Sequence, residues 1–204
     1  MDIIELEPFA TGYMNAGRHD AGYRTACGFK AFAENIPLKI EPGEWFVGPV
    51  GSNEGLAFYY NRACGICAEE ERYKEEKALH PELSAQLDKC MDYFFALDTR
   101  RIISKLRTAE QEKLERNKCA WAAGGGHSNP DYELLLRVGT SGIREKIEQF
   151  GKIHRGKETF YDSLLLCVEA LEIIADRYKA LAESMIDGAE EADKAVLRRL
   201  AAAF

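Results

Sequence analysis

A histidine beside a run of glycines is the first place where the residues of this chain could do chemistry. His127 directly follows Gly124, Gly125 and Gly126, and Ser128 comes next. Glycine lets the backbone adopt a positive φ or approach another group closely. A titratable side chain on such a loop is typical of a functional position. The alternative interpretation is a tight loop between two helices that carries an ordinary exposed histidine.

A cysteine pair is the second candidate. Cys64 and Cys67 form a C-x-x-C pattern, which can ligate a metal or cycle between dithiol and disulfide. A second ligand pair at useful spacing is absent, and the acidic run from Glu69 to Glu71 would raise the pKa of the thiols. The main interpretation is therefore a pair of structural thiols, and the alternative is a metal or redox site. The four histidines form no H-x-x-x-H or H-E-x-x-H pattern, so a zinc hydrolase is unsupported.

The glycine-rich loop leads into a helix whose start is well specified. Asn129 can cap this helix, Pro130 suits its first position, and Asp131 and Glu133 place negative charge at its positive end. Apolar residues then recur at helical spacing up to Phe150. Because Asp131 and Glu133 would repel phosphate, and no Lys or Arg sits beside the glycines, an anion-binding loop is disfavoured.

The remaining sequence is mostly helical in pattern. Residues 1–20 are predicted to form a loose N-terminus, because glycines break any periodicity there. A helix is predicted from residue 20 to residue 35. After a short break between Gly151 and Gly156, the clearest helix has a wide apolar stripe over residues 160–185. A last helix is predicted from residue 189 to residue 204.

One stretch favours extended structure. Ile36, Leu38 and Ile40 alternate with polar or proline positions, a turn is predicted at Pro42 and Gly43, and β-favouring side chains follow. We therefore predict a short extended or hairpin element in an otherwise mainly α-helical chain. The predicted organisation is a single multi-helix domain over residues 1–204.

Composition and charge narrow the class of protein. An apolar content of 46% and a charged content of 30% are typical of a soluble globular protein. The net charge of -7 disfavours nucleic acid as a partner. The sequence contains no run of about 18 apolar residues, so no membrane span is predicted. The acidic N-terminus is unlike a signal peptide. Six cysteines without an export signal indicate reduced thiols and a cytoplasmic location.

Three segments of the chain carry a specific pattern. The first is R-T-A-C-G-F-K-A-F-A-E-N-I-P-L-K-I-E-P-G-E-W-F-V-G at residues 24–48. The second and most specific is G-G-H-S-N-P-D-Y-E-L-L-L-R-V-G-T-S-G-I-R-E-K-I-E at 125–148. The third is the helix that begins F-Y-D-S-L-L-L-C-V-E at residue 160. In their order and spacing, these segments resemble the amino-terminal part of the glycyl radical enzymes, the group of pyruvate formate-lyase and related radical dehydratases.

The resemblance implies what the complete enzyme would contain. The family builds a ten-stranded α/β barrel and breaks a C–C or C–O bond in a small oxygenated metabolite, which makes it a family of lyases of anaerobic metabolism. An S-adenosylmethionine-dependent iron–sulfur enzyme installs its glycyl radical. In some family dehydratases the histidine matching His127 hydrogen-bonds a substrate hydroxyl, so His127, Ser128 and Gly126 are the substrate-binding candidates that this resemblance implies.

The chain also departs from the family pattern. Neither the catalytic cysteine loop nor the R-V-x-G-[FY] radical loop occurs in it, so no catalytic residue and no cofactor is assigned to this chain. The C-V-E string at Cys167 lies inside a strongly periodic helix, and we predict that Cys167 belongs to the buried core.

Two hypotheses follow for the function. In the first, the chain is the amino-terminal portion of a glycyl radical enzyme, as a truncated chain or as one subunit of a split enzyme. It would be inactive alone, and its partner would be the remaining barrel, a partner subunit or a second copy. In the alternative, it is a free-standing, non-catalytic helical interaction module that has lost radical chemistry.

Overall fold

Helices dominate the part of the chain that the structure describes. The structure is a computed structural model of the 204-residue chain, and it describes residues 7–17, 20–44, 47, 74, 77–85, 88–89, 92–93, 105–117 and 131–203. We number six α-helices within those ranges: α1 (Glu7–Asn15), α2 (Ala21–Asn35), α3 (Ala109–Arg116), α4 (Tyr132–Ile153), α5 (Glu158–Met185) and α6 (Glu191–Ala203). A 3₁₀ turn covers Pro81–Leu83. No strand occurs among these residues, so the predicted mainly α-helical class holds for them.

The N-terminal helix α1 packs closely against α2. The Phe9 side chain is only 1% exposed and lies against Gly28 of α2. A Cβ atom on Gly12 would lie 2.6 Å from the carbonyl oxygen of Cys27, so the missing side chain allows the two backbones to approach. The prediction of a loose N-terminus is therefore wrong for Glu7–Asn15. Gly12 looked like a helix breaker, but it serves as a contact position between helices.

Helix α2 also runs alongside α5, and polar contacts join the two. The Lys30 Nζ atom lies 2.6 Å from Oε1 of Glu169. The Arg177 guanidinium donates from Nη1 to the carbonyl oxygen of Ala33 at 2.5 Å and from Nη2 to that of Ile36 at 2.6 Å. Because these carbonyls lie at the C-terminal end of α2, the arginine satisfies acceptors that the helix itself leaves without a donor.

The segment after α2 is extended and turns at Gly43. The Glu44 N–H donates to the carbonyl oxygen of Glu41 at 3.1 Å, and Gly43 has a φ of 79°, which favours glycine. The Ile36 and Ile40 side chains are buried. The predicted turn at Pro42 and Gly43 is therefore confirmed. The second arm of the predicted hairpin lies mostly outside the described residues, so the hairpin itself stays a prediction.

The C-terminal helices form the second part of the core. Helix α5 confirms the predicted helix over residues 160–185, and the chain turns at Asp187 and Gly188 before α6 begins. One core cluster joins the extended segment, α5 and α6; its buried members are Ile40, Tyr178, Ala182, Leu197 and Leu200.

Cys167 is exposed, so the prediction that it belongs to the buried core is wrong. Helix α5 is covered from two directions. Ser163 and Ala170 are buried on one side of α5, and Val168 is buried on another. At about 100° per residue, Cys167 falls on the strip between these two sides. A wide apolar stripe in the sequence therefore does not mean that its whole width is covered.

Candidate functional site

The described residues resume at Asp131, where α4 begins. Asp131 is the N-cap, and its Oδ1 atom accepts a hydrogen bond from the Leu134 N–H at 2.9 Å. The helix therefore begins at Tyr132, two residues later than a cap at Asn129 would require. That prediction is wrong. The backbone of Asp131 has a non-helical ψ of 77°, and its side chain binds one of the N–H groups that the first turn of the helix leaves free.

The substrate-binding candidates Gly126, His127 and Ser128 lie outside the described residues, and so do Cys64 and Cys67. Their roles stay predictions. In the described ranges, no group of three or more His, Cys, Asp or Glu side chains could hold a metal ion. We therefore assign no metal ligand within those ranges.

Helix α4 is only partly covered by the other described residues. None of its residues is buried, and Leu136 is 86% exposed. Gly139 interrupts the helix with a φ of 65° and a ψ of -176°. The turns that follow the glycine-rich loop therefore point in a different direction from the rest of α4. An exposed apolar face next to a candidate site is typical of a surface that another polypeptide covers.

The kink yields a direct prediction. The backbone of Gly139 occupies a region that is accessible essentially to glycine alone. Gly139→Ala is therefore expected to lower the free energy of unfolding by about 1–2 kcal/mol, as measured by urea denaturation. Gly188→Ala is the matched control, because a Cβ atom there meets no atom within 4 Å. If Gly139→Ala were as stable as Gly188→Ala, an alanine side chain would cause no backbone strain at the kink, and the prediction would be wrong.

Helices α4 and α5 form a hairpin held by polar and aromatic contacts. The Arg144 Nη2 atom lies 2.5 Å from Oε2 of Glu172. The ring of His154 stacks on Phe150 and on Tyr161, and its Nδ1 atom lies 2.5 Å from the Tyr161 hydroxyl. Spacing alone could not identify His154 as part of a cluster, because its partner Tyr161 lies on the next helix.

The connection between these helices is shorter than the break predicted from Gly151 to Gly156. Helix α4 continues to Ile153, and Gly151 is helical. The ideal Cβ position of Gly151 lies 3.3 Å from the Tyr161 ring, so this glycine serves close packing. Gly156, with a φ of 82°, makes the turn.

The two described cysteines are poor nucleophiles near neutral pH. Burial raises the pKa of the Cys27 thiol, although a hydrogen bond with Tyr23 and the charge of Lys30 oppose this. Cys167 is exposed as a residue, yet partial desolvation of its sulfur raises the pKa of its thiol. A raised pKa lowers the fraction of thiolate, the reactive form, near neutral pH. In the described ranges, no helix is both long and apolar enough to cross a membrane.

Comparison with known proteins decides the family. A family model described as pyruvate formate lyase-like matches residues 7–204. The chain belongs to the pyruvate formate-lyase-like family. The resemblance to glycyl radical enzymes is thereby confirmed, and it covers α1 through α6. No curated protein matches the chain.

Three solved structures that match the chain are each much longer than it is. A structure on 1,2-propanediol dehydration in Roseburia inulinivorans matches with a TM-score of 0.74 and 20% identity, over 97% of this chain and 26% of that one. A glycerol-bound, B12-independent glycerol dehydratase from Clostridium butyricum matches with a TM-score of 0.68 and 23% identity, over 97% of this chain and 28% of that one. A glycyl radical enzyme from Archaeoglobus fulgidus matches with a TM-score of 0.60 and 19% identity, over 98% and 28%. The chain thus spans about a quarter of their length.

Proposed function

We propose that this chain is the amino-terminal helical portion, or a subunit, of a glycyl radical lyase or dehydratase. The observation that carries the proposal is the match over 97% of this chain to only 26–28% of two longer chains, of which one is a glycerol dehydratase and the other is described by 1,2-propanediol dehydration. A role as one wall of a larger enzyme also accounts for the lack of buried residues in α4. The organisation as one domain, the cytoplasmic location and the anaerobic setting are part of this proposal.

The proposed role at the site is substrate positioning. The loop before α4 would present His127 and Ser128 to a substrate hydroxyl, and Gly126 would allow its backbone to come close. A neutral imidazole can donate from one ring nitrogen and accept at the other. The cap at Asp131 supports this role, because it fixes the point at which α4 begins after the loop.

The radical itself would belong to another part of the enzyme. No glycine of the chain lies in an R-V-x-G-[FY] string. At three described glycines, Gly12, Gly28 and Gly142, an ideal Cβ would lie less than 3 Å from a neighbouring atom. Because that string is missing from the sequence, we assign the radical to no glycine of this chain and derive no radical step on it. In the complete enzyme, the proposal requires an S-adenosylmethionine-dependent iron–sulfur enzyme to install the radical.

The test is anaerobic reconstitution with a polypeptide that carries the cysteine and glycine loops, followed by activation. We expect His127→Gln to leave the glycyl radical signal in electron paramagnetic resonance unchanged. Turnover of glycerol or 1,2-propanediol should fall about 100-fold, as expected for loss of a positioned hydrogen-bonding group. His80→Gln is the matched control, because His80 sits at the 3₁₀ turn, 3.5 Å from Glu82.

The outcomes separate the proposal from its alternative. Full turnover by the His127 variant would remove the proposed role of the histidine but leave the enzyme assignment intact. Failure of the wild-type chain to support any radical or turnover would contradict the assignment itself. That result would favour the non-catalytic interaction module.

A further inference from the structure

A second glycine takes part in the bend of α4. Gly142 lies three residues after Gly139 and is helical. Its ideal Cβ position lies 2.6 Å from the Cβ atom of Val138 and 3.0 Å from Cγ2 of the same side chain. In a regular helix, Cβ atoms four residues apart are separated by about 5–6 Å. The bend therefore brings Val138 down onto the next turn, at the point where Gly142 has no side chain.

The two glycines meet different physical requirements of the same bend. Gly139 supplies the backbone conformation, because its φ of 65° and ψ of -176° are accessible essentially to glycine alone. Gly142 supplies the space that Val138 occupies. We call Val138, Gly139 and Gly142 the two-glycine kink. It divides α4 into an upstream arm at residues 132–138 and a downstream arm at residues 140–153.

The downstream arm is held against α5. The Arg144 Nη2 atom lies 2.5 Å from Oε2 of Glu172. Further along the arm, the ideal Cβ position of Gly151 lies 3.3 Å from the Tyr161 ring. Polar and packing contacts with α5 therefore fix the direction of this arm.

The upstream arm has no comparable support among the described residues. Tyr132 is 65% exposed and Leu136 is 86% exposed. In the described part of the chain, its one ion pair joins Glu133 to Arg137 within the arm, and the Asp131 cap binds the arm's own first turn. These contacts shape the arm without fixing its direction. The two-glycine kink therefore sets the direction in which the arm leaves the hairpin.

The upstream arm acts as a lever on the loop that precedes it. Its seven residues are about 10 Å long, so a change of about 15° at the kink would move Asp131 by about 2–3 Å. His127 and Ser128 precede Asp131 by only four and three residues, so their loop would be displaced with the cap. A displacement of about 1 Å can reduce a catalytic rate about 100-fold.

We propose that Gly139 and Gly142 are positioning residues, which aim the loop of His127 at the substrate through the direction of the upstream arm. This inference rests on the proposed function, because it takes that loop to bind the substrate. It goes further by giving a role to Gly142, fifteen residues beyond His127, which acts through the arm and not by contact. A kink that served packing alone would be expected to bury side chains of α4, and none of them is buried.

The first measurement is the angle between the two arms in the 204-residue chain, from residual dipolar couplings of their backbone N–H groups. Carbon atoms in contact are about 3.5–4.0 Å apart, so an alanine at 142 must move Val138 by about 1 Å. Because Val138 is about 3.8 Å from the pivot at Gly139, Gly142→Ala should turn the arm by about 15°.

Two further variants isolate the steric contact. Ser141→Ala, at an exposed neighbouring position, is the matched control and should leave the angle unchanged. Val138→Gly combined with Gly142→Ala should restore the wild-type angle, because only one Cβ atom then occupies the contact.

The second measurement is turnover of glycerol or 1,2-propanediol by the reconstituted, activated enzyme. Gly142→Ala is expected to lower kcat/KM at least about 30-fold, with the radical signal in electron paramagnetic resonance unchanged. Combined with His127→Gln, it should lower kcat/KM no further than His127→Gln alone, because both changes remove the same contact to the substrate. A general effect on folding would instead multiply with that of His127→Gln.

Three results would overturn the proposal while wild-type turnover leaves the proposed function intact. They are an unchanged angle in Gly142→Ala, a changed angle with wild-type kcat/KM, and losses that multiply with those of His127→Gln. If the wild-type chain supports no turnover, the proposed function fails and the positioning role fails with it, whereas the angle still shows whether the two glycines set the bend. If Gly142→Ala does not fold, Gly139→Ala decides by the same two measurements, because it opposes the positive φ of the same kink.

Discussion

Gly28→Ala is expected to lower the free energy of unfolding by about 3 kcal/mol, the upper end of the usual cost of overpacking a core. A Cβ atom on Gly28 would lie 2.8, 2.9 and 3.0 Å from three atoms of the Phe9 ring. That ring is 1% exposed and packs edge-on against Phe29 and in a stacked arrangement on Tyr13. Because its neighbours hold the ring, α1 must shift away from α2.

The measurement is urea denaturation followed by circular dichroism, with Gly22→Ala as control. Gly22 lies in the exposed first turn of the same helix, and the nearest atom to its ideal Cβ is Oδ1 of Asp20, at 3.2 Å. We expect this control to stay within about 0.5 kcal/mol of wild type. A Gly28 variant as stable as the control would show that α1 does not depend on this contact.

Arg177→Met is expected to lower the free energy of unfolding by about 3 kcal/mol, because two charge-assisted hydrogen bonds are lost together. The arginine joins α5 to the carbonyl oxygens of Ala33 and Ile36, at the negative end of α2. Methionine retains most of the apolar stem but leaves both acceptors without this donor. The helix that carries Cys27 and Lys30 would then be held to α5 mainly by apolar packing.

Two further variants test the explanation for Arg177. Arg177→Lys should recover less than half of the lost stability, because an ammonium group cannot reproduce the planar two-donor geometry. Arg198→Met on the exposed surface of α6 should change stability by less than about 0.5 kcal/mol. Full recovery by lysine would mean that charge alone holds the end of α2. An equal loss in the Arg198 variant would point to a general effect of removing a positive charge.

The family-specific motif allowed the sequence to indicate the kind of protein but not the geometry of its site. The stretch at residues 125–148 carries the resemblance, and the match over residues 7–204 confirms it. The start of α4 was predicted to within about two residues, because capping is a local interaction. The roles of Gly126, His127 and Ser128 could not be derived in the same way, because the groups that complete a pocket come from elsewhere in a fold.

The sequence by itself determined most of the helical segments, although not α1, because helical periodicity and capping depend on neighbours within a few residues. Helix α5 and the turn at Asp187 and Gly188 are examples. Only the tertiary structure decided how the faces of those helices are used. It made Gly12 a contact position, placed Cys167 on an uncovered strip and paired Arg177 with the end of α2. The reason is that burial depends on which other helix lies across each face, and residues more than a hundred positions apart determine that.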